Sequence, residues 1–325
     1  MKKAAYVLIA LALTAPIVGQ TPDLPQPSYR FINTWRMGRI DERITEWGKE
    51  GYDVQFVGRC PSSDVAVLLK RDDERTRTYR FVTTSRYATF IKEVNEAGLQ
   101  GFRLVRGAAA ASFPKSVQWI AVLAHDPSGQ KFTYSGLQVN DEGMKLLVEA
   151  VKRGAIVAAG LGDRFILEES QGGKAPSASS SETDYRLVST QKTSTLEAEL
   201  QRAATEGFHT VESAMMRVLV ARDQSSSPSG VDYHLIAMRR APTAERELQA
   251  AGGEGFRLNL TMPCTEQEGM FILHRPKGST ERYDYRVVAL KEETADVTLQ
   301  AAGRDGYRVS GLLNEFAVLE RQLRN

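Results

Sequence analysis

The sequence predicts an α+β fold of six tandem β-α-β-β repeats of about 50 residues, with helices covering one face of mixed, largely antiparallel sheets. Three observations predict it. A glycine, usually followed by an aromatic residue, recurs at spacings of 50, 53, 53, 48 and 51 residues. An apolar stripe of helical periodicity precedes each glycine, and strand-like segments flank this helix on both sides. The recurring glycines are Gly51, Gly101, Gly154, Gly207, Gly255 and Gly306.

The first strand of each repeat begins with an aromatic residue about 22 residues before the glycine. Segments such as Tyr185-Arg-Leu-Val188 have the composition of strands. The strands begin at Tyr29, Tyr79, Tyr185, Tyr233 and Tyr285, with Phe132 or Tyr134 in the third repeat. Because side chains alternate along a strand, we expect helices to cover the tyrosine face, while the other face is partly basic and partly apolar.

The helix of each repeat is clearest just before Gly207. Leu196, Leu200 and Ala203 recur at i, i+4 and i+7, which is the apolar stripe of an amphipathic helix. Gly207 should end this helix in the left-handed conformation, and Gly101, Gly255 and Gly306 should do the same in their repeats. The apolar residue seven positions before the glycine should be buried against its own sheet. These residues are Ile44, Val94, Leu200, Leu248 and Leu299.

Two further strands follow each glycine, as in Phe102-Arg-Leu-Val105 and Trp119-Ile-Ala-Val-Leu123. The first two strands, joined by a helix, should be parallel with a right-handed crossover, and the second and third should form a hairpin. A unit of this size buries too little apolar surface to be stable alone, so the repeats must pack on one another.

Composition divides the chain into four segments. Lys2 and Lys3 precede an apolar run that is too short to span a membrane, which predicts a signal peptide over 1–20. Repeats one to three occupy 28–169, a Ser/Gly-rich linker occupies 170–183, and repeats four to six occupy 184–323. The linker favours two three-repeat lobes over one closed ring. Without the two lysines, 40 basic side chains balance 40 acidic ones, which disfavours nucleic acid as a partner.

The repeat resembles a small bacterial strand-helix-strand-strand domain family of unknown function. The matching residues in the fourth repeat are Tyr185-Arg-Leu-Val188, Leu196 to Leu200, Gly207-Phe208 and Val218 to Arg222. The resemblance covers most of the mature chain and implies a fold of this kind. It implies no catalytic residue and no cofactor.

The chain has no motif that predicts a catalytic or metal site. Its four histidines lack metal-ligand spacing, and it carries neither a Walker loop nor a G-x-S-x-G elbow. The basic residues on the second face of the first strands allow two interpretations: a face that packs on another sheet with its arginines paired at the margin, or a platform that binds anions or glycans. These candidate ligand-binding residues are Arg30, Arg80, Arg186, His234 and Arg286.

Cys60 and Cys264 occupy the same position in repeats one and five, nine residues after the glycine. They could form a disulfide within an exported chain, or remain free or pair between molecules.

These observations favour an exported, non-enzymatic repeat protein that acts as a binding or scaffold module, in the periplasm or secreted. An enzyme with its site in a cleft between two lobes and a structural envelope component are the alternatives. The partner is unknown; an anionic glycan or a protein would suit the basic face, and no membrane span is expected in the mature chain.

Overall fold

The computed structural model describes residues 28–59, 65–71, 73, 75–112, 116–171, 183–189, 192–214, 217–223, 230–263, 269–313 and 315–323. Within these residues the chain forms six successive β-α-β-β repeats, as the sequence predicts. The signal peptide, most of the linker, Cys60 and Cys264 lie outside the described residues, so these predictions stay predictions.

Each repeat contributes one helix and three strands. The first strands are β1 Ser28–Thr34, β4 Tyr79–Thr84, β7 Lys131–Gln138, β10 Thr183–Ser189, β13 Val231–Met238 and β16 Arg282–Ala289. The helices are α1 Met37–Lys49, α2 Tyr87–Leu99, α3 Asp141–Lys152, α4 Thr193–Thr205, α5 Ala241–Gly253 and α6 Ala295–Arg304. The second strands are β2 Asp53–Arg59, β5 Phe102–Ser112, β8 Ile156–Leu161, β11 His209–Ala214, β14 Arg257–Pro263 and β17 Arg308–Leu313. The third strands are β3 Val65–Arg71, β6 Ser116–His125, β9 Arg164–Gln171, β12 Arg217–Asp223, β15 Gly269–Pro276 and β18 Phe316–Leu323.

The third strand lies in the middle of each three-stranded sheet, between the first and the second. In repeat one, β1 and β2 both run antiparallel to β3, so they are parallel to each other without being neighbours. The predicted hairpin between the second and third strands is present in every repeat. Because the third strand separates the parallel pair, all hydrogen-bonded strand pairs among the described residues are antiparallel.

The repeated glycine ends each helix as predicted. Gly101, Gly207, Gly255 and Gly306 have φ of 85°, 89°, 93° and 83°. At the end of α4 the Gly207 N–H donates to the carbonyl of Ala204, and the next N–H donates to the carbonyl of Ala203. These bonds satisfy carbonyls that the helix leaves unpaired, and a side chain larger than hydrogen would strain this backbone.

The six hydrophobic cores lie between neighbouring repeats. The predicted core residues Ile44, Val94, Leu200, Leu248 and Leu299 are all at most 1% exposed, which confirms their burial. Around Leu200, Val188 and Val218 come from the same repeat, whereas Tyr233 and Ile272 come from the next one. Each helix therefore packs on its own sheet and also on the tyrosine face of the following sheet.

A second glycine, three residues before the helix-ending glycine, brings the helix close to the next first strand. A Cβ at Gly252 would lie 2.4 Å from the carbonyl oxygen of Tyr283, and one at Gly98 would lie 2.4 Å from that of Phe132. Such distances leave no room for a methyl group, so glycine is required for this close packing. Repeats three and four carry Val151 and Ala204 at this position instead.

A tyrosine hydroxyl links five of the six junctions. In each, the first-strand tyrosine accepts the N–H of the residue three positions after the preceding repeat's glycine. The pairs are Val54 to Tyr79 at 3.3 Å, Leu104 to Tyr134 at 2.7 Å, Thr210 to Tyr233 at 3.0 Å, Leu258 to Tyr285 at 2.8 Å and Val309 to Tyr29 at 3.2 Å. The junction at Tyr185 lacks this bond within the described part of the chain.

The last repeat packs on the first and closes a ring. Asp296 at the start of α6 accepts the Phe31 N–H at 3.0 Å and pairs with Arg30 at 2.9 Å. Tyr29 and Phe31 share a core with Leu299. A continuous core likewise joins repeats three and four across the linker. The structure is therefore one closed ring and not the two lobes that the linker favours. The junction between repeats three and four and the junction between repeats six and one use the same packing as the other junctions.

The second strands form the inside of this ring. Each contacts the second strands of both neighbouring repeats, in the order β2, β5, β8, β11, β14, β17 and back to β2. The first strands lie at the opposite edges of the sheets and therefore at the periphery. This radial arrangement decides which side chains can meet.

Candidate functional site

The structure separates the basic residues of the first strands from one another. Arg30, Arg80, Arg186, His234 and Arg286 lie on five different peripheral strands, so the ring separates them. Four of these side chains already contact a carboxylate. The pairs are Arg30 with Asp296 at 2.9 Å, Arg186 with Glu206 at 2.6 Å, Arg286 with Asp305 at 3.3 Å and His234 with Glu197 at 3.4 Å. Arg80 donates to the Gln100 amide oxygen at 2.9 Å. A platform would require unpaired arginines on one surface, so these contacts support the other interpretation, in which the arginines are paired with carboxylates.

Arg30, Arg186 and Arg286 each contact the aromatic ring that follows the helix-ending glycine of their own repeat. Phe208 lies between the guanidinium groups of Arg186 and Arg222, 4.5 and 4.7 Å from its centroid. Tyr307 lies in the same way between Arg286 and Arg321. The hydrogen bond from Arg186 lowers the pKa of Glu206. Cation–π contacts of this kind stabilise the helix end, which gives the first-strand arginines a structural role.

The edges of the peripheral strands are covered by side chains from the preceding helix. Asn95 of α2 donates to the Tyr134 carbonyl at 2.8 Å and accepts the Tyr134 N–H at 2.7 Å. Gln201 of α4 contacts β13 in a similar way. Carboxylates add further caps, such as Glu245 to the Val287 N–H at 2.7 Å. Pairing the edge in this way protects it from association with other strands.

Sequence reasoning missed these caps, although a signal exists. An amide lies six residues before the helix-ending glycine in repeats two, four, five and six, and a carboxylate lies ten residues before it in repeats one, four, five and six.

Two buried glutamates link repeats two to three and five to six in the same manner. Glu168 is 3% exposed, pairs with Arg103 Nε at 2.8 Å and accepts the Tyr134 hydroxyl at 3.0 Å. Glu320 makes the same contacts with Arg257 and Tyr285, each at 2.9 Å. Burial raises the pKa of Glu168, and burial raises that of the Tyr134 hydroxyl. Each set joins two neighbouring repeats, so we assign it to the stability of the ring.

A β-bulge interrupts the second strand of every repeat, four residues after the glycine. The bulged residues are Gln55, Val105, Ala158, Val211, Asn259 and Ser310. A bulge leaves one residue unpaired and turns backbone groups away from the ladder. In repeats one and two the carbonyls of the bulged residues Gln55 and Val105 accept hydrogen bonds from Arg106.

The residue after the bulge distinguishes repeats two and four from the others. This position holds Phe56, Arg106, Ala159, Glu212, Leu260 and Gly311. Arg106 and Glu212 are thus its only two charged residues, and their charges are opposite. The other four repeats form the same backbone without a charge at this position, so the fold itself does not require Arg106 or Glu212 to be charged.

Both charged groups are held by backbone. Arg106 donates from Nε to the Gln55 carbonyl at 2.6 Å and from Nη1 to the Val105 carbonyl at 2.7 Å. Glu212 accepts the Ser213 N–H at 2.8 Å and also the N–H of Gly160 on the neighbouring strand. A Cβ at Gly160 would lie 2.0 Å from the Ser213 carbonyl oxygen, so only glycine permits this approach.

Burial shifts the pKa of both residues of this pair. Desolvation lowers the pKa of Arg106 and raises the pKa of Glu212, and each is partly offset by the charge of the other. Arg106 nevertheless has an exposed side chain and Glu212 an intermediate one. Both residues lie on second strands, which form the inside of the ring. We take this axial pair, Arg106 and Glu212, as the candidate site.

A surface groove lies between α1 and α6 over β1. Arg39, Arg43, Trp47 and Glu292 line it. Arg39 pairs with Glu292, and Arg43 pairs with Glu46 at 2.6 Å, so its charges are already neutralised. Trp35 lies near the start of α1 with 67% of its surface exposed.

Among the described residues, no three His, Cys, Asp or Glu side chains come together as metal ligands would. None of the helices in the same residues is long and apolar enough to cross a membrane. Comparison with family models, with curated proteins and with solved structures finds no match to this chain. The resemblance to a small bacterial repeat family therefore stays a prediction.

Proposed function

We propose that this chain is an exported, non-enzymatic ring protein that acts as a binding or scaffold module, in the periplasm or secreted. The closure of the ring carries the proposal. Repeat six packs on repeat one through the contacts that join the other repeats, including the Tyr29 and Asp296 bonds. A closed ring of repeats holds its inner and outer surfaces in fixed positions, which suits recognition of a partner.

The enzyme alternative placed its site in a cleft between two lobes. In the ring, the two halves meet at buried cores on both sides, around Leu299 and around Leu219. This packing supports a rigid binding surface more than a cleft that opens and closes. We expect a ligand to bind at the axial pair.

Export is tested by fractionating cells that express the full chain with a C-terminal tag, beside a variant that lacks residues 2–20. We expect the full chain outside the cytoplasm with a new N-terminus near residue 20, and the variant inside. A full chain that still begins at Met1 or Lys2 contradicts export.

The non-enzymatic part is tested with the purified mature protein and any ligand that raises its thermal unfolding temperature. Proton NMR of the mixture should show the ligand unchanged after many hours. A ligand that is converted to product, at a rate proportional to protein concentration, contradicts the proposal.

A further inference from the structure

A groove follows α1 where repeat six meets repeat one. One part lies over β1 and is lined by Trp47 together with charged side chains of both repeats. A second part is lined by Arg36 and is continuous with the first, because the two parts share Arg39, Arg43 and Glu46. The Arg36 guanidinium lies 5.5 Å from the centroid of the Trp35 ring, so this exposed indole lies beside the groove. We call this surface the junction groove.

Repeat one alone has the side chains that form this groove. The position four residues before the helix-ending glycine holds Trp47 in repeat one and alanine in the five other repeats. The positions twelve and eight residues before that glycine hold Arg39 and Arg43, and none of the other repeats has an arginine at either of them. All six repeats nevertheless form the same elements and the same sheet. The fold therefore requires none of these three side chains, which favours a role in binding.

The charges of the groove are paired with one another. The pairs are Arg30 with Asp296 at 2.9 Å, Arg43 with Glu46 at 2.6 Å, and Arg39 with Glu292. Five carboxylates and four guanidinium groups line the two parts, so an anionic ligand would meet a slight excess of negative charge. An apolar protein surface would remove water from these pairs without replacing its hydrogen bonds. A neutral ligand rich in hydroxyl groups replaces them, because each hydroxyl both donates and accepts.

We propose that the junction groove binds a neutral oligosaccharide, with one sugar ring stacked on Trp47 and another on Trp35. The apolar face of a sugar ring packs on an indole, while the hydroxyls at its edge bond to the paired charges. The 13 residues of α1 give the groove a length of about 20 Å, which exceeds that of a single sugar. This inference rests on the proposed binding function and adds to it a site at the junction of repeats six and one.

The test titrates the mature protein with cellohexaose, maltohexaose and laminarihexaose, followed by calorimetry. The corresponding disaccharides are the short probes, and hexagalacturonate is the anionic probe. We expect at least one neutral hexasaccharide to bind with one site per chain, and its disaccharide and hexagalacturonate to bind at least about fivefold more weakly. If none of the three binds at about 5 mM, on the order of the weakest specific affinity, the proposal is wrong. It is also wrong if the disaccharide or hexagalacturonate binds as tightly.

The variants are Trp47→Ala and Trp35→Ala, with Leu146→Ala as the matched control. Alanine occupies the Trp47 position in the other repeats, so the helix tolerates it there. Leu146 is an exposed apolar side chain on α3, at the position that Arg43 has on α1. Each tryptophan variant should weaken binding about fivefold or more, and the control should leave it unchanged.

Equal affinities for the three variants refute the proposal. A second copy of the chain is the competing occupant of the groove. If the protein sediments as a dimer that the two tryptophan variants convert to a monomer, the groove is an interface between copies and the proposal is wrong.

A measurement on the unmodified protein keeps the proposal testable if a tryptophan variant fails to fold. The chain has three tryptophans and therefore three indole N–H signals in ¹H–¹⁵N spectra. The hexasaccharide should shift those of Trp35 and Trp47 and leave that of Trp119, which is 7% exposed in repeat two. Binding that leaves the Trp35 and Trp47 signals in place refutes the site. Neither result touches export or the absence of turnover, so the proposed function is judged separately.

Discussion

The Tyr285 hydroxyl offers the sharpest test of how the ring is held together. Tyr285 is fully buried, and its hydroxyl accepts the Leu258 N–H at 2.8 Å while donating to Glu320 at 2.9 Å. Tyr285→Phe removes one oxygen atom and keeps the aromatic ring of the side chain in place. The substitution therefore removes the bonds of this hydroxyl to Leu258 and Phe256 of repeat five and to Glu320 of its own repeat.

The cost follows from the two groups that lose their partner. A buried N–H without an acceptor costs about 1–3 kcal/mol. Glu320 keeps Arg257 but loses a donor in a buried site. Together these losses should lower the free energy of unfolding by about 2–4 kcal/mol. Tyr185→Phe is the matched control because its junction lacks the equivalent bond, and we expect a change within about 0.5 kcal/mol.

Urea unfolding of the mature protein, followed by far-UV circular dichroism, measures both variants. The slope against urea concentration should stay constant, since the folded surface is unchanged. Equal unfolding free energies for Tyr285→Phe and Tyr185→Phe would show that the inter-repeat bond contributes nothing, and the reasoning on the junctions would fail.

Three further predictions concern packing and pH. Leu200 is fully buried between repeats four and five. Leu200→Ala should lower the free energy of unfolding in urea by about 2–5 kcal/mol. A loss under about 1 kcal/mol would contradict its place in the shared core. Gly252→Ala should lower the free energy of unfolding by about 1–3 kcal/mol or more, because the added methyl group meets the Tyr283 carbonyl. Gly253→Ala is the control, because its methyl group has open space, and it should be neutral or stabilising. Equal effects of the two substitutions would refute the close approach at Gly252. Burial raises the folded-state pKa of Glu212 above 4.5, so the folded chain binds this proton more tightly than the unfolded chain does. Its contribution to stability should fall as pH rises from about 4.5 through the raised pKa, and Glu212→Gln should remove that slope; parallel pH profiles for both proteins would contradict it.

The candidate site was beyond sequence reasoning for a specific reason. The alignment of repeats placed Arg80 and Arg186 at equivalent positions of their repeats. Equivalent positions on the peripheral first strands lie at different places around the ring, so these residues do not meet. Arg106 and Glu212 are also equivalent, yet they lie on second strands, each of which contacts the second strands of the neighbouring repeats. Only the position of a strand relative to the ring distinguishes the two cases.

The sequence by itself determined the elements of this protein and their order. Apolar spacing, the helix-ending glycines and the first-strand tyrosines are local signals, because helix periodicity and left-handed backbone depend on a few neighbouring residues. These signals correctly predicted six repeats, the buried position of Leu200 and the positive φ of Gly207. The tertiary structure decided the strand order within each sheet, the sharing of each core between two repeats, and the closure of the ring through Tyr29 and Asp296. Those features depend on contacts between residues as far as 280 positions apart, which no local pattern records.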